Sequence, residues 1–350
     1  MALDKSHALG LVHDGNVSPS SASFAPVGTF TRLDGAELKE LAAAFGLGDV
    51  REHRSIAAGT INSNYEIQTE HGHYFVRVNE GKSEHDVAWE ARLVGALAGE
   101  GVITPPPLVA LDGRPFAPLR GATTKWMSVF PWRDGRHLAA DEVTPALADA
   151  FGAALAQLHV AGLALPEAWR RGSIYDHAHL VRRFERFARV DDPALTRPVA
   201  ILREELAEAT AASANRRRAT QGMIHGDLFR DNVLWAGDAI SAILDFEQAS
   251  GGSLAYDLAV CINDWCWTGA PRLDLAAALI AGYQRIRPLT DGDRNALPVE
   301  LRASAARFTI TRITDVYLAR VANPEKDFRA FLARVEAWRG PALGQLAAAL

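Results

Sequence analysis

Between Met223 and Gln248 the chain reads MIHGDLFRDNVLWAGDAISAILDFEQ, which sets a histidine, several aspartates and an asparagine among apolar residues. Burying that many polar groups costs several kcal/mol unless each finds a partner. The spacing indicates which partner. Asp227 leaves a loop just after MIHG, Asn232 follows five residues later where a strand begins, and Asp245 ends the next strand. Oxygen ligands from Asn232 and Asp245 suit a hard cation such as Mg²⁺, which keeps several waters and is completed by substrate phosphates. Asp227 is then free to accept or orient the proton of an attacking hydroxyl. Taken singly, these aspartates read equally as turn caps and His225 as a satisfied core residue; their order favours chemistry.

Such side chains need a rigid frame. Two strand-like runs, NVLW and AISAILDF, joined by the turn AGD, predict a β-hairpin that projects loop and strand-end groups toward one point. Around it TPALADAFGAALAQLHVAG, HLVRRFERFARV and AILREELAEATAASA carry helical spacing, and helical patterns resume after the hairpin to Leu350. The earlier part has another texture. A helix starts at DGAE, with Asp34 placed to cap and Glu37 to reach back, and Gly46 and Gly48 end it. Alternating β-formers, Tyr65 and Ile67 and then Tyr74, Val76 and Val78, flank the turn EHGH. The helical SEHDVAWEARLVGALAGEG and a strand in TTKWMSVFPW complete a small sheet with one helix against it. Residues 1–28, rich in Ser, Gly, His and Ala without apolar periodicity, read as a poorly ordered tail. The expected organisation is this tail, a β-rich part over 29–130 and a mainly helical part over 131–350 that holds the polar cluster.

Composition excludes several classes. The 350 residues are 48% hydrophobic and 23% charged, as in ordinary soluble globular proteins. A net charge of −5 argues against a general nucleic-acid or anionic-membrane binder. The one dense basic run, Arg216-Arg217-Arg218, reads as a solvated helix end. Cys261 and Cys266 are too few and too close for a disulfide framework, which points to a reducing compartment. No apolar run approaches the roughly 18 residues a bilayer requires, and the N-terminus lacks a signal-peptide core, so a cytoplasmic location is expected. Neither the P-loop pattern nor a strand-bounded dinucleotide fingerprint is present. A zinc hydrolase is disfavoured because His225 lacks a second His or Cys at ligand spacing.

The order His-x-Asp-x4-Asn, then Asp-Phe-Glu after a strand, resembles the catalytic and metal loops of the protein-kinase-like fold, and HGDLFRDN is similar to its aminoglycoside phosphotransferase branch. The resemblance implies an α+β, bilobal fold whose lobe over 29–130 binds nucleotide and whose lobe over 131–350 carries catalysis and the acceptor, with ATP and Mg²⁺ as cosubstrate and cofactor, and a set of upstream residues. AAGTINSNYEI falls where such kinases carry the loop over the phosphates; Gly59 is its one glycine, so Thr60, Asn62 and Ser63 are expected to help cradle them. Arg77, in YFVRVNE, falls at the basic position of the third strand, where its fork suits phosphate oxygens. Glu90, in VAWEARL, falls at the orienting carboxylate of the following helix. WMSVFPW matches the hinge, with backbone groups from Ser128 to Phe130 expected to hold adenine.

Further on, LDFEQA and YDLAVCINDWC, with RFTITRI downstream, resemble within that superfamily the bacterial homoserine kinases of the phosphotransferase-like type. The likeness runs from about Phe30 to Leu332 and implies ATP-dependent phosphorylation of the L-homoserine side-chain hydroxyl, a step of threonine biosynthesis. It departs at Glu247, where an aromatic is expected. An amino-acid acceptor needs a partner for each charged end. Asp257, near the hairpin, is expected to brace the catalytic loop, Asn263 and Asp264 to meet an ammonium, and Arg312 a carboxylate. Arg307 and Arg312, five apart, point about 140° apart on a helix, so Arg307 is not assigned. Other acceptors of the same reaction class are an aminoglycoside, choline or another hydroxylated amine; mixing Asp264 with Arg312 favours a zwitterion over the strongly acidic pocket an aminoglycoside needs. A nucleotide-binding pseudokinase without turnover would not require Asp227, Asn232 and Asp245 together.

Overall fold

Capping chemistry starts the first element. In the computed structural model, which describes residues 31–56, 62–121, 123–321 and 323–348, Asp34 Oδ1 accepts the N–H groups of Ala36 and Glu37, and the Glu37 carboxylate accepts the N–H of Asp34. Helix α1 (Gly35–Ala44) follows, and Gly46 and Gly48 leave it with positive φ. The expected tail and both Gly59 and Thr60 lie outside the described residues.

Five strands then form one antiparallel sheet: β1 (Val50–Ile56), β2 (Ser63–Thr69), β3 (His73–Asn79), β4 (Ala117–Leu119) and β5 (Lys125–Pro131), in the order β1-β2-β3-β5-β4. Alternation on β3 buries Val76 and Val78 against Leu38, Leu41, Ile67 and Val129. The helix on that core is α1. The helix between β3 and β4, α2 (Glu84–Gly99), instead packs Leu93, Val94 and Leu97 into the helical core. This corrects the expectation that it caps the small sheet. α2 thereby spans the boundary, since its Glu90 reaches back to Arg77 on β3.

The rest is mainly helical: α3 (Pro145–Ala164), α4 (His177–Glu185), α5 (Pro193–Ala211), α6 (Ser213–Arg218), α7 (Leu254–Trp265), α8 (Leu273–Ile286), α9 (Asp291–Arg312), α10 (Phe328–Trp338) and α11 (Pro341–Ala348). Two small ladders interrupt it. β7 (Val233–Ala236) and β8 (Ala239–Ile243) form the expected hairpin. β6 (Gln221–Ile224) and β9 (Ser250–Ser253) pair antiparallel around it, a ladder that the Gly-rich Ser250–Ser253 concealed in the sequence. α3 is, contrary to expectation, long and apolar enough to cross a membrane by length and composition. Much of it is buried, and it lies against α8 with Phe151 and Leu155 in the core. α3 and α8 touch through backbone: a Cβ on Gly152 would stand 2.0 Å from the Leu279 carbonyl oxygen.

Candidate active site

The loop after β6 is shaped by α7. Buried Asp257 accepts the backbone N–H groups of His225 and Gly226, both at 2.8 Å, and meets His159 Nε2 from α3 at 3.1 Å. His159 Nδ1 lies 2.7 Å from the Tyr283 hydroxyl on α8. Burial pushes the Asp257 carboxyl up, but hydrogen bonds and the charge of the histidines outweigh it and leave the carboxyl below the usual range. His225 Nε2 donates to the Leu244 carbonyl at 2.9 Å, fastening the loop to the residue before Asp245. Gly226 has φ +78, a conformation that favours glycine. Its peptide brings Asp227 out with a side chain 32% exposed.

Asn232 Nδ2 donates to the Asp227 carbonyl at 2.7 Å, leaving Oδ1 with no protein donor among the described residues. Asp245 sits at φ +62, ψ +68, a left-handed conformation that costs a non-glycine residue about 1–3 kcal/mol. Its Oδ1 is buried without a hydrogen-bond partner, while Arg77 Nη2 stands 3.7 Å away. Burial first, and the neighbouring Glu247 charge second, push the Asp245 carboxyl well above the usual range. Glu247 is also raised by burial, but Lys82 and Arg77 hold it low. A strained, donor-starved carboxylate and a free amide oxygen, on segments joined where the Leu244 N–H donates to the Asn232 carbonyl at 2.9 Å, are the donor types a hard cation takes. Among the described residues no group of three or more His, Cys, Asp or Glu could hold a metal. A two-ligand site completed by phosphates and water is the form Mg²⁺ takes.

Opposite stands the basic side. Arg77 Nη1 bonds Glu90 Oε1 at 2.9 Å, and Arg77 Cζ lies 5.6 Å from the Phe130 ring. Lys82, which the sequence did not single out, places Nζ 3.1 Å from Glu90 and 2.8 Å from Glu247. Glu247 also accepts from Asn62 Nδ2 at 2.9 Å. The residue that departs from the expected aromatic is thus an ionic tie between the turn after β8 and the sheet. Nothing in the local pattern around Lys82 signalled this.

Several expected contacts are corrected. Asn62 Nδ2 donates to Glu247 and its Oδ1 accepts the Glu80 N–H, while Ser63 Oγ donates to Glu80 and accepts the Thr31 N–H, so neither side chain is aimed at phosphate. Ser128 Oγ accepts from Asn79. The Val129 carbonyl takes the Leu108 N–H on the side away from β3, so strand alternation turns the backbones of Ser128 and Phe130 toward Arg77 and Phe75. The next outward carbonyl is that of Pro131, at the strand end. On the acceptor side, buried Asn263 is saturated by Leu301, Ser304 and Trp338. Asp264 accepts the Arg230 N–H at 2.8 Å and its Nε at 3.1 Å, anchoring the turn Arg230–Asn232. Neither is open to an ammonium. Arg312 gives one donor to the Asp327 carbonyl and lies over Phe331. Burial lowers its pKa while Asp264 and Asp227 raise it, so its guanidinium belongs to the same neighbourhood. Arg307, left unassigned from the helical wheel, puts Nη1 3.3 Å from Asp227 Oδ1. Its length overrides the angular offset.

A bilobal kinase-like arrangement is therefore on hand: a five-stranded sheet with an Arg–Glu pair, facing a loop–hairpin unit with Asp227, Asn232 and Asp245. Residues 52–289 match the model of the phosphotransferase enzyme family. The chain is 34% identical to a homoserine kinase of Gluconacetobacter diazotrophicus over 82% of its own length and 88% of that protein. A homoserine kinase of Methylobacterium radiotolerans is likewise 34% identical, over 82% and 87%. Among solved structures, an amicoumacin kinase in complex with AMP-PNP, Ca²⁺ and its ligand superposes with a TM-score of 0.69 at 15% identity, covering 88% of this chain and 94% of that one. A microcompartment-associated aminopropanol kinase gives 0.64 at 20% identity, covering 90% and 98%. The chain belongs to the phosphotransferase enzyme family, on the aminoglycoside phosphotransferase fold.

Proposed function

We propose that this protein transfers the γ-phosphoryl group of ATP to the side-chain hydroxyl of L-homoserine, forming O-phospho-L-homoserine in the cytoplasm. The observation that carries the acceptor is the near full-length identity of 34% with homoserine kinases. What supports the reaction is the convergence of Asp227, Asn232, Asp245 and Arg77 described above.

The roles follow from the atoms left free. Asp227 has Oδ1 toward Arg307 and Oδ2 open, so Oδ2 accepts the hydroxyl proton as the oxygen attacks phosphorus. Arg77, oriented by Glu90, turns Nη2 to the phosphates. Asn232 Oδ1 and Asp245 would hold Mg²⁺, which when bound supplies neutralisation of phosphate charge. Adenine lies at the strand end near Pro131, and Arg312 meets the acceptor carboxylate. Catalysis is then mostly positioning and charge neutralisation without a covalent enzyme intermediate.

ADP release coupled to a reporter, measured with L-homoserine, L-serine, choline, an aminoglycoside and aminopropanol, tests the reading. L-homoserine should give the highest kcat/KM, with strict dependence on Mg²⁺. A clear response to another alcohol beside none to homoserine would retire the acceptor and leave the kinase. Nucleotide binding with no ADP release from any acceptor would point to a pseudokinase.

A further inference from the structure

Two residues past the short turn Glu167–Trp169, Arg171 sits where the helical part meets both α2 and the chain after Asp245. Its Nε donates to the Ala249 carbonyl at 3.0 Å, and its Nη2 donates to the Glu247 carbonyl at 2.5 Å. Its own carbonyl accepts the Gly251 N–H at 2.8 Å. One residue thus takes main-chain groups from positions 247, 249 and 251. The two segments lie close, since a Cβ on Gly251 would stand 2.9 Å from the Arg170 Cβ. A planar guanidinium spans two carbonyls as one rigid fork, which the point charge of a lysine does not.

The same guanidinium lies against α2. Its Cζ stands 3.8 Å from the centroid of the Trp89 ring, and its Nη1 stands 3.6 Å from Asp86. Trp89 Nε1 donates to the Trp169 carbonyl at 3.1 Å, and Arg92 Cζ stands 4.3 Å from the Trp169 ring, so the two segments interleave arginine with tryptophan. Trp89 is the neighbour of Glu90, which orients Arg77. Burial pulls the Arg171 pKa down against the charges of Asp86, Glu90 and Glu247. A cation kept where burial disfavours it, with its fork on two carbonyls, marks a position where the fork itself is needed.

What needs holding is the backbone at Asp245. Its φ of +62 is a strained conformation, which persists only where neighbouring contacts over-determine it. On the N-terminal side Leu244 is fixed through both main-chain groups, its N–H donating to the Asn232 carbonyl and its carbonyl accepting from His225. On the C-terminal side Lys82 and Asn62 hold the Glu247 side chain, while the main chain runs along Arg171. We infer that Arg171 is a positioning residue whose fork locks the turn after Asp245 onto α2 and so keeps the Asp245 carboxylate aimed at its cation. It acts through the turn, without being a ligand itself. The inference rests on the proposed role of Asp245 in holding the cation.

Mn²⁺ titrated into the full chain with ADP present, followed by the paramagnetic resonance of the free ion, reads the site without turnover and without any acceptor. Asp245→Asn should weaken Mn²⁺ binding at least about tenfold. Arg171→Met keeps an apolar stem over Trp89 and loses the fork. It should weaken Mn²⁺ binding about 10–100-fold, the usual effect of removing a partner that orients a metal ligand, while the Kd for ADP without a cation stays within a few-fold of native. Arg171→Lys keeps the charge and offers a single point donor, so its Mn²⁺ affinity should fall between those two proteins; it carries the test should Arg171→Met not fold. Native Mn²⁺ affinity in Arg171→Met, full recovery in Arg171→Lys, or an equal loss of cation-free ADP affinity overturns the proposal and leaves the role of Asp245 standing. Mn²⁺ binding unchanged by Asp245→Asn would retire that role and the proposal with it.

Discussion

Asp227 has one carboxylate oxygen engaged by Arg307 and one open, as its proposed role as the base requires. Asp227→Ala should lower kcat by about 10²–10⁴-fold, the usual yield of positioned proton transfer, while the Kd for ATP stays within a few-fold by calorimetry. Near-native turnover would remove Asp227 from its role. Arg307→Met keeps the bulk and loses the fork. It should lower kcat about 10²-fold, as misplaced catalytic groups do, with little change in ATP affinity; an unchanged kcat would make Arg307 a packing residue. At this scale the sequence revealed what is local. Asp227, Asn232 and Asp245 fall within one hairpin unit, so spacing alone places them. Asn263 looked free because its partners Leu301, Ser304 and Trp338 arrive from α9 and α10, and no local pattern announces contacts so distant in sequence.

Elements hold these residues through backbone approach and buried acceptors. α3 and α8 meet at Gly152 and Gly282, and a Cβ on Gly282 would stand 1.9 Å from the Asp149 carbonyl oxygen. Gly152→Ala should therefore destabilise the fold by about 1–3 kcal/mol, the cost of overpacking, seen as a lower urea midpoint; an unchanged midpoint would show that the helices slide apart freely. The same seam carries His159 and Tyr283, which brace Asp257. Because the Asp257 carboxyl is depressed in the folded chain, it contributes stability that is present above the ordinary aspartate pKa and lost as pH falls through the lower folded value. Asp257→Asn should be less stable at neutral pH and show a flatter loss of stability in acid. A parallel acid limb in both proteins would exclude Asp257 as a source of it. Capping boxes and β-alternation made α1, β2 and β3 legible, since both are written within a few residues. The β6–β9 ladder was hidden because Gly251 and Gly252 carry no β-forming side chain, and the packing of α2 was misjudged because its apolar stripe names no target.

Across the whole molecule, sheet and hairpin units are joined by charge. Lys82 bridges Glu90 and Glu247, Asn62 meets Glu247, and Arg77 spans Glu90 and Asp245. This tie sets the distance between the sheet that carries Arg77 and the loop that carries Asp245, the proposed phosphate and metal sides. Glu247→Gln should raise KM for ATP about tenfold or more, matching a charged contact worth about 1.5–3 kcal/mol, with a smaller change in kcat. Equal KM values would mean that the units are held by packing alone. The most direct test of the whole account is ³¹P NMR of the native chain incubated with ATP, Mg²⁺ and L-homoserine. The predicted result is a new phosphomonoester resonance matching authentic O-phospho-L-homoserine, growing as ADP appears and missing with Asp227→Ala. ADP accompanied only by inorganic phosphate, or the same phosphomonoester at an equal rate from Asp227→Ala, would contradict it.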